Sequence, residues 1–208
     1  MLVFPPLPCA DPVFEMAVSL PGMSQGLSQT DGVQFFPRAY VKLGGWRVGG
    51  QWRNLDSATA NGVGALFVGK SHKFGRLQVD AVARYRFKTG AKGPLPSEAW
   101  ELSLGASRSI GALSLVFDSD YSPDEFGRGP SLWAQAGMAL AVGKHARISA
   151  NIGLRERSRD PEYTAFNAGI SSPLAKHLVL DVRYYRTDRS RLGDHYRGRV
   201  TFTMRLSL

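Results

Sequence analysis

The chain ends with YRGRVTFTMRLSL, Tyr196 to Leu208, and this stretch decides how the fold is interpreted. Two sets of side chains alternate along it. The apolar set is Val200, Phe202, Met204, Leu206 and Leu208, and the polar set is Arg199, Thr201, Thr203, Arg205 and Ser207. A period of two is typical of a β-strand with one apolar and one polar face. We interpret it as the strand that closes a membrane-spanning β-barrel, while a half-buried strand of a soluble β-sandwich fits these residues equally well.

Length and composition favour one all-β domain. The 208 residues include 23 Gly and 12 Pro, which mark many turns, and 43% of the residues are hydrophobic. The sequence has no apolar run of about 18 residues, the length that a transmembrane helix needs. A barrel strand needs only about 9–11 residues with every second one apolar. The mean hydropathy of −0.17 is therefore compatible with a single membrane barrel over residues 11–208.

The first ten residues, MLVFPPLPCA, resemble the end of a secretory signal peptide. The single cysteine of the chain, Cys9, lies here, so the rest of the chain has no disulfide or thiol chemistry. The segment lacks a basic n-region and its apolar run is short. We predict that residues 1–10 are the remnant of a truncated signal peptide. An unstructured N-terminus is the alternative.

Alternating apolar residues and clusters of turn residues divide the chain into about 12 strands. Short connections follow the even-numbered strands and longer polar ones follow the odd-numbered strands, which is typical of outer-membrane barrels. We therefore predict an all-β fold, a transmembrane antiparallel up-and-down β-barrel, located in the bacterial outer membrane. For one strand, Gly62 to Lys70, the sequence does not decide which side chains face outward, because Val63, Ala65 and Phe67 compete with Leu66 and Val68.

Aromatic residues on the apolar faces gather near the ends that carry the long loops. A general preference of aromatic residues for strands does not explain why they favour one end. We interpret them as an aromatic girdle at the outer membrane interface. Its predicted members are Trp52, Phe87, Trp100, Tyr121, Tyr163 and Tyr184.

A short motif follows the first predicted strand: Ser28-Gln29-Thr30-Asp31-Gly32. With echoes at Tyr163 to Ser171 and at Gly198 to Phe202, the chain from about residue 17 onward resembles the TorF-type porin family, whose members are predicted outer-membrane barrels. The resemblance implies this fold and a pore function. It departs just before the motif, where the family tends to have an aromatic residue and an arginine and this chain has Ser24 and Gln25.

If the apolar faces meet lipid, the opposite faces line the lumen. Ten arginines are the predicted lumen-lining and solute-lining residues: Arg38, Arg47, Arg53, Arg84, Arg86, Arg147, Arg155, Arg183, Arg199 and Arg205. Lys42 and Lys88 add to them, and the opposing carboxylates are Asp80, Glu101, Asp118, Asp120 and Asp181. A net positive lumen favours anions, since arginine offers a fixed fork to carboxylates and phosphates. Alternatively, the charges pair across the lumen, Asp80 with Arg84 for example, and merely fill it.

The net charge of +9 predicts an anionic partner: nucleic acid, lipopolysaccharide or an anionic solute. The basic residues alternate with apolar ones along the strands and no stacking motif is visible, so we do not expect nucleic acid. The expected partners are the lipid bilayer, lipopolysaccharide, small anionic solutes and, during insertion, the barrel-assembly machinery.

The predicted function is a porin-like channel for passive diffusion of small anionic solutes through a basic lumen. One alternative is a structural or adhesive barrel with an occluded lumen. Another is a barrel enzyme with a site in the outer loops, where His195 stands beside Asp194. The sequence contains no H-E-x-x-H, paired-Cys metal spacing, G-x-S-x-G or P-loop. We therefore predict no enzymatic activity, no cofactor and no metal.

Overall fold

Twelve antiparallel β-strands close into one barrel, as the sequence predicts. The computed structural model describes residues 10–143 and 145–208. The barrel strands are β1 (Asp11–Leu20), β4 (Gln34–Leu43), β5 (Trp46–Asn54), β6 (Gly62–Phe74), β7 (Leu77–Thr89), β8 (Glu98–Ile110), β9 (Leu113–Ser122), β10 (Ser131–Val142), β11 (Ala146–Arg157), β12 (Tyr163–Ala175), β13 (Leu178–Thr187) and β14 (Arg199–Ser207). Two short strands, β2 (Gly22–Ser24) and β3 (Leu27–Thr30), form a separate hairpin.

The first strand closes the cylinder. In β1, Ala17 lies opposite Arg205 of β14 on one side and opposite Phe36 of β4 on the other. A closed ladder leaves no unpaired strand edge, as the hydrocarbon core of a bilayer requires. Short turns join the strands at one end of the barrel, which we call the turn end. Longer connections join them at the other, the loop end.

The outer surface is apolar. Along β8, Trp100, Leu102 and Leu104 are between 55% and 59% exposed, while Glu101 between them is buried on the inner side. The closing strand behaves alike, since Phe202 is exposed and Thr201 and Thr203 are buried. Contiguous exposed apolar surface of this extent is unfavourable in water and favourable in a bilayer. The alternating faces predicted for the closing strand are confirmed.

The facing of β6, left open by the sequence, is resolved. Val63, Ala65 and Phe67 are buried on the inner side, and Leu66 and Val68 are exposed on the outside. Of these inner residues, Val63 and Ala65 are small and lie near the loop end, and Phe67 is large and lies nearer the turn end. Phe67 lies below the guanidinium of Arg38, 4.7 Å from its Cζ atom.

Pro37 lies inside β4, although a proline is unusual in a closed ladder. It pairs with Met16 of β1, whereas the ladder with β5 begins one residue later, at Arg38. Pro37 therefore occupies a position where only one neighbouring strand is paired.

Tyr163 corrects the predicted aromatic girdle. Its side chain is 2% exposed and packs inside the barrel, because Tyr163 falls on the inner face of β12 together with Ala165. Three other members, Trp100, Tyr121 and Tyr184, are exposed on the outer surface as predicted.

No helix in the described part of the chain is long and apolar enough to cross a membrane. The predicted signal-peptide remnant, residues 1–10, lies outside the described residues except for Ala10.

Candidate functional site: the lumen and its constriction

The connection after β1 folds into the lumen instead of remaining a polar loop at the barrel mouth. Its β2–β3 hairpin places Gln25 at the tip, with φ of 50°. The Gln25 amide donates to Asp120 (3.2 Å) and accepts from Arg155 (2.9 Å). The hydroxyl of Tyr163 donates to the Gln25 carbonyl oxygen at 2.9 Å. Gln25 therefore bridges an acidic group on β9 and a basic group on β11.

Apolar contacts hold the hairpin in place. Leu27 is buried in a cluster with Trp133, Tyr163 and Ala165. Gly26 adopts φ of 82°, and a β-carbon added there would overlap the β-carbon of Ala165. Only glycine fits this left-handed, closely packed position without strain.

The Ser28 to Gly32 motif shapes the return of this hairpin. The Ser28 hydroxyl donates to the Asp31 carboxylate at 3.2 Å, and the Gly32 amide donates to the Thr30 hydroxyl at 3.1 Å. Asp31 also accepts from Arg199 of β14 at 2.6 Å. The motif that carries the family resemblance thus has a local structural role in seating the hairpin.

Two cavities share the lumen. The outer cavity, of about 570 Å³, opens at the loop end, and its charged lining residues are Arg53, Asp56, Arg84, Arg86, Lys88, Glu101, Asp120, Glu125, Arg128, Arg157 and Asp160. The inner cavity, of about 490 Å³, lies towards the turn end and is lined by Arg38, Arg47, Asp80, Arg84, Asp118 and Asp120 among others. Arg84 and Asp120 line both cavities. We call this level the constriction and define it by Gln25, Arg84, Asp120 and Arg155.

Ion pairs fill the constriction. Arg84 contacts Glu101 at 2.9 Å and Asp120 at 3.5 Å, and Arg86 contacts Glu101 at 2.6 Å. Ser103 hydrogen-bonds both Arg84 and Asp120. These groups are partly buried, so solvent screens them less than it would screen surface pairs.

The proposed pair between Asp80 and Arg84 does not form. Residues four apart on a strand are separated by about 13 Å, whereas directly opposed residues on neighbouring strands lie about 5 Å apart. Arg84 is directly opposite Glu101, with which it pairs. Asp80 instead binds Arg47, at 3.1 Å.

The ten predicted arginines divide into two groups. Seven form ion pairs within the described chain: Arg38, Arg47, Arg84, Arg86, Arg155, Arg183 and Arg199. Three form none with any described carboxylate: Arg53, Arg147 and Arg205. Ion pairs inside the lumen, such as those of Arg84 with Glu101 and of Arg183 with Asp181, therefore neutralise most of these arginines but leave three uncompensated.

Several carboxylates at the lumen were not predicted from the sequence: Glu15, Asp31 and Glu125, and also Asp56 and Asp160 of the outer cavity. Glu15 accepts from Tyr40 at 3.1 Å and lies 3.5 Å from Arg38. Glu15 stands between the apolar residues Phe14 and Met16, and this alternation could have predicted that its side chain faces the lumen. Asp31 and Glu125 come from connections that fold inward, and the polar sequence of such a loop does not distinguish the lumen from bulk water.

The connection after β9 is the second one that folds inward. Phe126 is buried against Val63 and Ala99, and Glu125 binds Arg155 at 2.6 Å and Arg157 at 3.4 Å. Burial opposes ionisation of Glu125, but the two guanidinium groups outweigh it and hold the pKa of Glu125 below its ordinary value. Glu125 is therefore an anion at neutral pH and ties this connection to β11.

The side chain of the loop-borne His195 makes no hydrogen bond or ion pair with the residues that the structure describes. Its neighbour Asp194 pairs with Arg197 at 2.9 Å, and both of these side chains are exposed. Across residues 10–143 and 145–208, no group of His, Cys, Asp and Glu is arranged to hold a metal ion.

An apolar outer wall, a charged lumen and an inward-folded connection define the class: the chain is a twelve-stranded β-barrel of the outer-membrane type. Solved structures of this class are similar to it in fold. KdgM porin has a TM-score of 0.64 at 10% identity, over 94% of this chain and 97% of its own. NanC porin has a TM-score of 0.63 at 10% identity, over 94% and 98%. An outer membrane channel from Pseudomonas putida F1 has a TM-score of 0.58 at 11% identity, over 99% of both chains.

No family model matches the chain, and no curated protein matches it either. Membership of the TorF-type family therefore stays a prediction. At these identities the likeness to porins and channels establishes the barrel fold, and the predicted outer-membrane setting agrees with it.

Proposed function

We propose that the protein is a porin-like channel through which small anionic solutes diffuse passively. The two cavities give the solute room on either side of the constriction, and the hairpin narrows the passage between them. Contacts with lipopolysaccharide and with the barrel-assembly machinery follow from this class of protein and stay predictions.

The observation that carries the proposal is the balance of unpaired charge. Five cations of the predicted lumen set form no ion pair with the described residues: Lys42, Arg53, Lys88, Arg147 and Arg205. Among the carboxylates of that set, Asp118 alone has no ion-pair partner within the same part of the chain. Uncompensated positive charge in a confined passage raises the local concentration of anions and lowers that of cations.

The unpaired cations lie near the two ends of the passage. Arg53 and Lys88 are next to the last residues of β5 and β7 at the loop end, and Arg147 is the second residue of β11 at the turn end. The paired groups lie between them. A solute thus meets uncompensated positive charge at both mouths and a neutralised constriction in the middle.

The structural neighbours support the same direction. One of them is KdgM porin in a complex with disordered oligogalacturonate, an acidic saccharide, and its TM-score to this chain is 0.63. A solute of similar chemistry, a small hydroxylated acid, would find guanidinium groups for its carboxylate and amides and hydroxyls for its hydroxyl groups in this lumen.

Solute flux into proteoliposomes tests the proposal. Gluconate and glucose have similar size and differ in charge, so their relative rates report selectivity directly. We expect gluconate to enter vesicles that contain the folded protein faster than it enters protein-free vesicles. Through the same protein, glucose should enter more slowly than gluconate. Equal rates, or faster entry of glucose, would contradict the anion preference.

An occluded structural barrel is the second candidate, and the Gln25 bridge favours it. The bridge ties the hairpin to β9, β11 and β12 by hydrogen bonds of 2.9 to 3.2 Å at the level where the cavities meet. If neither solute enters vesicles that contain folded, inserted protein, the structural role replaces the channel.

A further inference from the structure

Arg53 stands apart from the other arginines of the outer cavity. Arg84, Arg86 and Arg157 each contact a carboxylate there, at 2.6 to 3.5 Å. Arg53 lines the same cavity and makes neither an ion pair nor a side-chain hydrogen bond with the described residues. Glu101, Asp120, Glu125 and Asp160 of this cavity are each engaged by another arginine. Asp56, the remaining carboxylate of the lining, forms no ion pair with Arg53 in the described chain.

A second cation lies on the same row of the barrel wall. Arg53 is directly opposite Val63 of β6, and Val63 is directly opposite Lys88 of β7. The two cationic residues are thus two strand spacings apart, about 10 Å between their backbones. Val63, between them, packs against Phe126, and Ala65 beside it is small and also lines the outer cavity.

Contacts hold Lys88 in this position. Its ammonium group donates to the carbonyl oxygen of Pro96 at 3.2 Å and lies 4.7 Å from the centre of the Phe126 ring. Neither partner carries a charge, so the ammonium remains uncompensated. A preorganised cation loses little side-chain entropy when it binds an anion.

An amide completes the arrangement. Gln51 precedes Arg53 by two residues on the same inner face of β5 and also lines the outer cavity. Its side-chain amide makes no hydrogen bond with the described residues and can serve a hydroxyl group of a solute as donor or acceptor.

We propose that this corner of the outer cavity is an oxyanion-binding subsite for a small organic anion, with Arg53 as its anchor and Lys88 as the second cation. The guanidinium fork matches the two oxygens of a carboxylate or phosphate, and Gln51 contacts a neighbouring hydroxyl. The cavity volume of about 570 Å³ suits a small solute. The inference deepens the proposed channel function by giving the anion a first binding position, yet binding itself requires no passage through the constriction.

Isothermal titration calorimetry on the folded protein in detergent tests the subsite without any transport. The probes are sodium gluconate, inorganic phosphate and, as the uncharged reference, glucose. We expect the wild type to bind at least one of the two anions and not glucose. Binding of gluconate without phosphate assigns the subsite to carboxylates, and the converse assigns it to phosphates.

Three variants locate the site. Arg53→Gln should weaken anion binding about ten- to hundredfold, because a charge-assisted bidentate contact is lost. Arg53→Lys keeps the charge and should lose less. Arg197→Gln removes the same charge from an exposed residue outside the cavity and should bind like the wild type. Circular dichroism confirms the barrel in each case, and Lys88→Gln replaces Arg53→Gln if the latter does not fold.

The proposal is overturned if the wild type binds neither anion, if folded Arg53→Gln binds as the wild type does, or if Arg197→Gln loses as much affinity. Loss of binding in Arg53→Gln with no solute flux in the wild type would support the subsite and remove the channel. Anion-selective flux with unchanged binding in Arg53→Gln would do the opposite.

Discussion

Replacing Gly26 with alanine should unseat the hairpin from the lumen. Gly26 has φ of 82°, and its new β-carbon would overlap that of Ala165. The left-handed backbone costs a residue with a β-carbon about 1–2 kcal/mol, and overpacking a fitted contact costs about 1–3 kcal/mol more. Gly26 carries no charge, so the substitution leaves the charges of the lumen unchanged.

Gly93→Ala provides the matched control. Gly93 has φ of 85° and lies in a connection at the same end of the barrel, but a β-carbon there meets nothing within 4 Å. Both variants carry the backbone strain, and only Gly26→Ala carries the overlap. The difference of about 1–3 kcal/mol corresponds to a shift of about 5- to 150-fold in the ratio of seated to unseated hairpin.

Single-channel conductance and amide hydrogen exchange measure this shift. In Gly26→Ala, we expect larger or more frequent open levels and faster exchange over residues 22–30, with exchange in β14 unchanged. Gly93→Ala should resemble the wild type in both measurements. If Gly26→Ala also resembles the wild type, the hairpin does not occupy the lumen as described.

Three further predictions concern charge and lipid contact. Arg155 and Arg157 hold the pKa of Glu125 below the ordinary value of 4.5. The stability that Glu125 contributes is therefore fully present at neutral pH and is lost as the pH falls below that ordinary value and through the lowered pKa of the folded state. Amide exchange over residues 123–130 should accelerate in that range, and Glu125→Gln should abolish this pH dependence. Neutralising the unpaired cations of the turn end, Arg147→Gln with Arg205→Gln, should move the reversal potential in a KCl gradient towards zero. Arg76→Gln, a turn residue, should leave it unchanged. Leu104 is 58% exposed on the outer face, so Leu104→Lys places a charge against lipid. It should lower the free energy of unfolding by about 2–4 kcal/mol when the barrel is unfolded by urea in vesicles. The control, Ser109→Lys near the turn end, should change that free energy little.

The barrel itself could be predicted from the sequence because most strands obey a single local rule. In β14, every second residue is apolar, since lipid surrounds the wall and the lumen fills its interior. The even number of strands and the alternating loop lengths then follow from up-and-down topology. In β6 the rule fails, because Val63, Ala65 and Phe67 fill the lumen with apolar atoms and both faces resemble each other.

The constriction could not be predicted, because its contacts join distant parts of the chain. Gln25 binds Asp120 and Arg155, which lie 95 and 130 residues away. A weak signal was present: Leu27 and Phe126 are large apolar residues in connections that would otherwise be polar, and both are buried inside the barrel. Apolar residues within long connections are thus a useful indicator of loops that fold inward.

The ion-pair partners could not be predicted from the sequence either. Strand periodicity places Asp80 and Arg84 on one face, but the register between strands determines that Arg84 meets Glu101. Register depends on hairpin geometry and on the closure of the whole barrel. The arginines that remain unpaired, and with them the predicted selectivity, became visible only once that register was known.

The reversal potential of the wild-type protein in a planar bilayer under a KCl gradient tests the central claim most directly. Discrete current steps with the sign of chloride selectivity would agree with the excess of unpaired cations at both mouths. A reversal potential of the opposite sign, reporting potassium selectivity, would contradict the account of the lumen.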